Sequence, residues 1–159
     1  MIESASQLIE VRNACRWPPS GTRGVGFSRA NHFGKYFQRY TQEAQAPFLV
    51  AMIERIHAVK ELDDILNVEG LDAVLIGPYD LSASMGQTAQ FDHPQVVSTI
   101  DKIRTHASAR QIPCGIHVVL PEPEQLKQRI QEGYRFLAYS IDAVMLNYAA
   151  SKPSICQKE

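Results

Sequence analysis

Four short apolar segments, each separated from the next by a longer amphipathic stretch, constrain the fold of this chain more than any other feature. Near-continuous apolar runs indicate strands covered on both faces, as in parallel sheets. Their alternation with helical stretches predicts βα units with crossover helices, and therefore an α/β protein. The predicted strands are residues 47–54, 72–80 (with an exit loop), 113–119 and 136–142. Both an open doubly wound sheet and part of a (β/α) barrel satisfy this pattern.

The stretches around these strands carry helical periodicity. Helices are predicted over residues 4–15, 31–45, 56–68, 93–111 and 122–132, with a closing helix over 143–150. Asp92 is the predicted N-cap of the fourth helix, because Pro94 then falls in the first turn. In the fifth helix, Leu126 and Ile130 are predicted to face inward. Prolines and glycines predict a loop over 17–26.

Length and charge exclude several classes of protein. A chain of 159 residues with a net charge of −1 is long enough for one core and shows no bulk attraction to nucleic acid. The apolar runs are too short to span a bilayer, and the acidic N-terminus does not resemble a signal peptide. Three cysteines with no zinc-like spacing are interpreted as reduced thiols. We therefore expect a cytoplasmic protein with neither a membrane nor a nucleic-acid partner.

Two acidic residues follow predicted strands. Glu54 ends one apolar run and Asp80 follows the next, and sites in parallel α/β folds gather at the carboxyl ends of strands. Two carboxylates on neighbouring strands are suitable ligands for a hard divalent cation. Gly77 leaves room for a ligand, and the backbone amides of Tyr79 and Asp80 are candidates for holding a carboxylate. The alternative interpretation is that both acids are solvated loop residues.

Other reactive residues have structural interpretations of comparable weight. His117 lies within a predicted strand, where either a packed position or a site position is open to it. Arg23 is expected either to form a structural hydrogen bond or to lie at the rim of a substrate site. Ser82 and Ser84 are expected to cap a turn rather than bind a ligand. Cys114 is expected to be a buried packing residue.

Several motifs of this sequence resemble the HpcH/HpaI aldolase family of the phosphoenolpyruvate/pyruvate barrel superfamily. The segment GPYDLSASMG at 77–86 is similar to the family's signature loop. The segment RWPPSGTRGVG at 16–26 resembles a second family motif, with Trp17 in place of a tyrosine. The resemblance implies a partial (β/α)8 TIM barrel, units five to eight, over residues 1–150. Residues 151–159 are then expected to be a flexible tail.

The resemblance also implies a site and a reaction. Glu54 and Asp80 match the family's metal ligands, for Mg²⁺, Mn²⁺ or Co²⁺. Gly77, Tyr79 and Asp80 match its substrate-binding segment. The implied activity is a carbon–carbon lyase that cleaves a 2-oxo-3-deoxy or 4-hydroxy-2-oxo acid to pyruvate and an aldehyde. Met52 departs from the pattern, because many members carry a glutamine there.

The family's remaining catalytic residues, a histidine and an arginine, belong to strands one to four. No position of this chain matches them, so no catalytic residue is assigned. A half-barrel would expose strand edges, which predicts pairing with a second copy or with a complementary N-terminal half-barrel. The main alternative is a non-catalytic remnant that binds metal or oxo acid. An acyl-CoA thioester substrate, as in the citrate lyase β-subunit branch, is a further alternative.

Overall fold

A computed structural model describes residues 1–150 and contains one parallel sheet of four strands. The strands lie side by side in chain order as β1 Val50–Ile53, β2 Ala73–Ile76, β3 Cys114–Val118 and β4 Phe136–Tyr139. All three pairings are parallel. The predicted α/β class and its four strands are confirmed, although each strand is shorter than its apolar run. The predicted flexible tail, 151–159, lies outside the described residues.

Eight α-helices surround or connect these strands within residues 1–150. They are α1 Ala5–Cys15, α2 Phe37–Glu43, α3 Ile56–Lys60, α4 Leu62–Leu66, α5 Pro78–Ser84, α6 Pro94–Ala109, α7 Pro123–Gln131 and α8 Asp142–Ala149. Ser4 caps α1 by accepting a hydrogen bond from the Gln7 N–H at 3.2 Å. No helix in this described part of the chain is long and apolar enough to cross a membrane.

Strand register gives the sheet two different faces. Ile53 pairs with Ile76, which pairs with Ile116, and all three side chains are buried in one core with the helices. Because side chains alternate along a strand, Met52 points to the opposite face and is 36% exposed. We call this opposite face the inner face. Its residues are Val50, Met52, Glu54, Leu75, Gly77, Gly115, His117, Phe136 and Ala138.

The inner face is concave near the amino ends of the strands. Phe48, just before β1, and Phe136 of β4 have ring centroids 6.2 Å apart. In a flat sheet these two strands would be separated by three strand spacings, roughly 14 Å. Side chains stand nearly perpendicular to a sheet, so a ring contact between its two outer strands indicates that the sheet curves.

The segment 56–68 forms two short helices rather than the single predicted helix. Glu61 adopts φ −95° and ψ 10°, which lies between α3 and α4. The predicted buried side is nevertheless confirmed, because its members are at most 5% exposed. These residues are Val59, Leu62, Ile65 and Leu66.

The prediction of a helix over residues 31–45 is wrong for the first half of that segment. His32, Phe33 and Gly34 have φ of 50°, 54° and 98°, which an α-helix does not accommodate. The Asn31 side chain holds this turn, because its carbonyl oxygen accepts hydrogen bonds from the N–H groups of Ser28 and Gly34, both at 3.0 Å. Only the second half is helical, as α2.

Two details of the later helices also differ from prediction. His93, not Asp92, is the N-cap of α6, and its Nδ1 accepts from the Gln95 N–H at 3.3 Å. Pro94 occupies the first turn as predicted. In α7, Ile130 is 49% exposed and no residue of the helix is buried, so the predicted inward position of Ile130 is wrong.

Candidate metal and oxo-acid site

The two proposed metal ligands follow adjacent parallel strands. Glu54 comes directly after β1, and Gly77 comes directly after β2. The Gly77 N–H donates to the carbonyl oxygen of Ile53 at 3.2 Å, which extends the β1–β2 pairing to this end of the sheet. The parallel register therefore puts Glu54 and the start of α5 at one edge, the carboxyl edge.

The Glu54 side chain lies across Gly77. A Cβ added at Gly77 would be 2.9 Å from Glu54 Oε2 and 3.0 Å from Glu54 Cβ, which is closer than side chains normally approach. Only a glycine leaves this space to the carboxylate. Glu54 itself takes up the space on this side of Gly77, and the predicted approach of a ligand to the Gly77 backbone stays a prediction.

Asp80 lies in the first turn of α5 rather than in the predicted exit loop. Gly77 is the N-cap and Pro78 is the first helical residue, whose fixed φ suits that position. As residues of the first turn, Tyr79 and Asp80 have backbone N–H groups without a partner inside the helix. The Tyr79 ring packs edge-on against Phe91 with centroids 4.8 Å apart, so its backbone is the part available to a ligand at the helix start.

Two serine hydroxyls hold α5 in place. Ser84 Oγ donates to the carbonyl oxygen of Leu81 at 2.7 Å and accepts from the Ile56 N–H at 2.9 Å. Ile56 is two residues after Glu54, so this bond ties the chain beyond Glu54 to the helix that carries Asp80. Ser82 Oγ donates to the Tyr79 carbonyl oxygen at 2.8 Å. Both serines bind backbone groups, and sequence reasoning missed the link to Ile56.

The donor set at this edge fits a divalent cation. Within residues 1–150, neither the Glu54 nor the Asp80 carboxylate has an ion-pair partner, so their negative charge is not balanced by a neighbouring side chain. The same residues contain no group of three or more histidine, cysteine or acidic side chains placed to hold one ion. A hard cation here would therefore take oxygen ligands from substrate and water besides the two carboxylates.

Two other reactive residues have structural roles. Burial raises the pKa of the Cys114 thiol to about 12, so Cys114 stays protonated and acts as a packing residue, as predicted. The Arg23 guanidinium carbon lies 5.6 Å from the ring centroids of both Trp17 and Tyr40, and Arg23 Nη2 donates to the Tyr40 hydroxyl at 2.8 Å. The structural interpretation of Arg23 is therefore supported.

A cavity of about 490 Å³ lies between α6 and α7. Its walls include the apolar Ile100 and Ile116, and Tyr79 and His117 line it as well. Neither proposed metal ligand lines it. We regard the carboxyl edge rather than this cavity as the candidate site, because the acidic donors lie at the edge.

A parallel α/β sheet with acidic residues at its carboxyl edge belongs to the class of folds that place sites where strands end. The sequence model of one such family, HpcH/HpaI aldolase/citrate lyase, matches residues 1–149. The chain belongs to the HpcH/HpaI aldolase/citrate lyase family.

Individual relatives agree with this assignment. The chain is 39% identical over 150 residues to a hydroxypyruvate/pyruvate aldolase of Roseobacter denitrificans, covering 92% of this chain and 57% of that protein. It is 36% identical over 151 residues to a 2-keto-3-deoxy-L-rhamnonate aldolase of Shigella boydii, covering 94% and 56%. The chain thus spans little more than half the length of these relatives.

A solved structure supports the fold. A crystal structure of an HpcH/HpaI aldolase/citrate lyase family protein from Burkholderia cenocepacia superposes with a TM-score of 0.83 at 28% identity. The match covers 94% of this chain and 59% of that one. The α/β architecture described above is therefore shared with a member of the family.

Proposed function

We propose that residues 1–150 form units five to eight of a (β/α)8 barrel, the carboxyl-terminal half of an aldolase-type lyase. The substrate class is a 2-oxo-3-deoxy or 4-hydroxy-2-oxo acid, which is cleaved to pyruvate and an aldehyde. Family membership and the names of the two relatives support the lyase class. The coverage of little more than half of each relative, together with the concave sheet, supports the half-barrel.

The observation that carries the proposal is the position of Glu54 over Gly77, at the start of the helix that contains Asp80. Glu54 and Asp80 would hold Mg²⁺, Mn²⁺ or Co²⁺. A bound divalent cation supplies Lewis-acid polarisation of the oxo acid. The chain's own contribution is to fix the two carboxylates, through the β1–β2 register and the bond from Ile56 to Ser84.

The residues around the carboxylates bind and orient the acid. In this proposal the backbone N–H groups of Tyr79 and Asp80 donate to the substrate carboxylate, and Gly77 lets the acid approach the backbone closely. The Tyr79–Phe91 ring contact fixes the first turn of α5 and shields one side from water. Ordered donors of this kind raise the fraction of substrate bound in the reactive orientation.

The inner face supports the proposed need for a partner. Phe48 is 67% exposed and Met52 is 36% exposed, on the side of the sheet away from the helices. In a complete barrel, four further strands would cover this side. We propose that a second copy of the chain or a complementary N-terminal half-barrel supplies that cover, and that the assembly is the active form.

The first experiment measures Mn²⁺ binding to the full chain by electron paramagnetic resonance. Glu54→Gln and Asp80→Asn should each weaken binding by roughly tenfold or more, because each removes one of two charged ligands. Asp64→Asn is the matched control, since Asp64 is an exposed acid on α4. Equal Mn²⁺ affinity in all four proteins would contradict the proposed ligand pair.

The second experiment tests the chemistry. Wild-type protein with Mg²⁺ and pyruvate in deuterated water should exchange the pyruvate methyl protons, and either ligand variant should lose that exchange. The measurement is the decay of the methyl signal in proton NMR. Metal binding without any exchange would contradict a lyase formed by copies of this chain alone and favour the second candidate, a chain that binds metal or oxo acid without catalysis.

A further inference from the structure

His117 lies in the same transverse row of the inner face as Glu54. Ile76 pairs with Ile116 in the parallel register, so the next residues, Gly77 and His117, lie beside each other on neighbouring strands. Side-chain alternation puts His117 on the face opposite to Ile116, where the Glu54 side chain crosses Gly77. His117 and the proposed metal ligand Glu54 are therefore two strands apart in one row, with Gly77 between them.

The contacts of the imidazole fix its hydrogen-bonding capacity. His117 Nε2 lies 3.4 Å from the carbonyl oxygen of Ser140, and the Ser140 N–H donates to the Val118 carbonyl oxygen at 2.7 Å. A carbonyl oxygen only accepts, so this contact is a hydrogen bond in the tautomer that carries its proton on Nε2, and in that tautomer Nδ1 is an acceptor. No group within residues 1–150 donates to this Nδ1. The imidazole thus offers a free acceptor to a ligand.

His117 is placed to meet a ligand rather than the metal. The described residues contain no group of three histidine, cysteine or acidic side chains that can share one ion, and we therefore assign His117 to the ligand rather than to the metal. His117 and Tyr79 both line the cavity between α6 and α7, however, so the two residues lie near one another at the carboxyl ends of β3 and β2. An oxo acid of four or more carbons held at the first turn of α5 extends several ångströms beyond the ion.

We propose that His117 contacts the bound oxo acid and accepts, through Nδ1, a hydrogen bond from a substrate hydroxyl group. This rests on the proposed function, and it names the side chain that recognises the hydroxyl which every such substrate carries. Ser140 acts as a positioning residue, because its carbonyl oxygen holds the imidazole in the tautomer that leaves Nδ1 free. Ser140 is itself buried, at 8% exposure.

The test compares two acids that differ by one hydroxyl, 2-hydroxybutanoate and 2,4-dihydroxybutanoate, in the presence of Mg²⁺. Neither acid has the oxo group that aldol cleavage requires, so binding is measured without turnover. Wild-type protein should bind 2,4-dihydroxybutanoate about tenfold more tightly, the ratio expected of one net hydrogen bond. His117→Leu should reduce that ratio to about one, and His117→Gln should restore part of it. His106→Gln is the matched control, because it loses one imidazole contact, to Asp63, on the helical side.

A second measurement on the wild-type chain does not depend on any variant folding. With ¹⁵N-labelled histidine, the Nδ1 resonance of His117 should shift when 2,4-dihydroxybutanoate is added and stay unchanged with 2-hydroxybutanoate. If both acids bind but the ratio is the same in wild type and in His117→Leu, or Nδ1 does not respond, the role of His117 is wrong and the proposed function stands. If neither acid binds in the presence of Mg²⁺, the proposed function itself fails and this inference fails with it.

Discussion

The two halves of the sheet differ in how completely they are packed. In the first half, every residue of β2 is buried, and Ile53, Ile76 and Leu81 are inaccessible to solvent. In the second half, β4 is only partly buried, and neither α7 nor α8 buries a residue. The region that carries Glu54 and Asp80 thus has its own core within the described chain, whereas residues 1–150 leave the last unit only partly covered.

This difference separates two requirements of the proposed function. A binding site needs rigid supports, and the first half provides them through buried strands and the serine bonds of α5. An assembly surface needs exposed apolar groups. The second half has them in Leu146, 72% exposed, and Tyr148, 63% exposed, and the inner face of the first half adds Phe48, 67% exposed. The following substitutions test this difference in packing between the two halves.

The largest effect is expected from a cavity in the first half. Ile76→Ala removes a fully buried side chain from β2 and should lower the free energy of unfolding by about 2–5 kcal/mol. Leu146→Ala, in the exposed α8, should change it by less than about 0.5 kcal/mol. Urea denaturation followed by circular dichroism measures both. Equal losses in the two variants would show that the halves are packed alike.

An intermediate effect is expected at the junction between the halves. Gly115 of β3 faces Phe136 of β4, and a Cβ at Gly115 would overlap the Phe136 carbonyl oxygen and lie 2.9 Å from the Phe136 Cβ. Gly115→Ala should cost about 1–3 kcal/mol of unfolding free energy and increase amide exchange in β4 more than in β2. Gly24→Ala is the control, because a Cβ there meets no atom within 4 Å. An equal increase in amide exchange in all four strands would contradict the prediction that the second half is packed less tightly than the first.

The smallest effect is expected at an exposed cluster on the helical side. Asp63 accepts a hydrogen bond from His106 Nδ1 at 2.9 Å and pairs with Arg110 at 2.8 Å. The His106 hydrogen bond is the main cause that lowers the pKa of Asp63. A carboxyl whose pKa is lower in the folded state stabilises the fold above its unfolded pKa, near 4, and loses that contribution as pH falls through the folded value.

Asp63→Asn removes this dependence. Between about pH 5.5 and about pH 3, wild-type protein should lose slightly more unfolding free energy than Asp63→Asn, as measured by urea denaturation at each pH. The difference is expected to be small because the Asp63 side chain is 57% exposed and solvent screens the pair. A larger loss in the variant would give the opposite sign and contradict the assigned direction of the pKa.

The strands and the acidic edge were predictable because both depend on local signals. Apolar runs identify buried strands, and the residue after each run lies at the carboxyl edge whatever the distant contacts are. Glu54 and Gly77 were located in this way, and the structure places both after β1 and β2. The shared ion between Glu54 and Asp80 remains a prediction.

The errors arise where tertiary contacts override local periodicity. Residues 31–36 carry helix-like aromatic spacing, but the Asn31 side chain satisfies backbone groups of a turn instead. Ile130 has the spacing of an inward residue, yet it stays exposed because α7 does not close onto the core. The bond from Ile56 to Ser84 joins residues 28 apart, and no pattern in the sequence reports it.

The contact between Phe48 and Phe136 affects the direction from which a ligand can reach Glu54. These two phenyl rings put hydrocarbon across the amino end of the curved sheet, where a charged acid gains no favourable contact. In the proposed aldolase, an anionic substrate would therefore reach Glu54 from the opposite end, past the first turn of α5, and the products would leave by the same route.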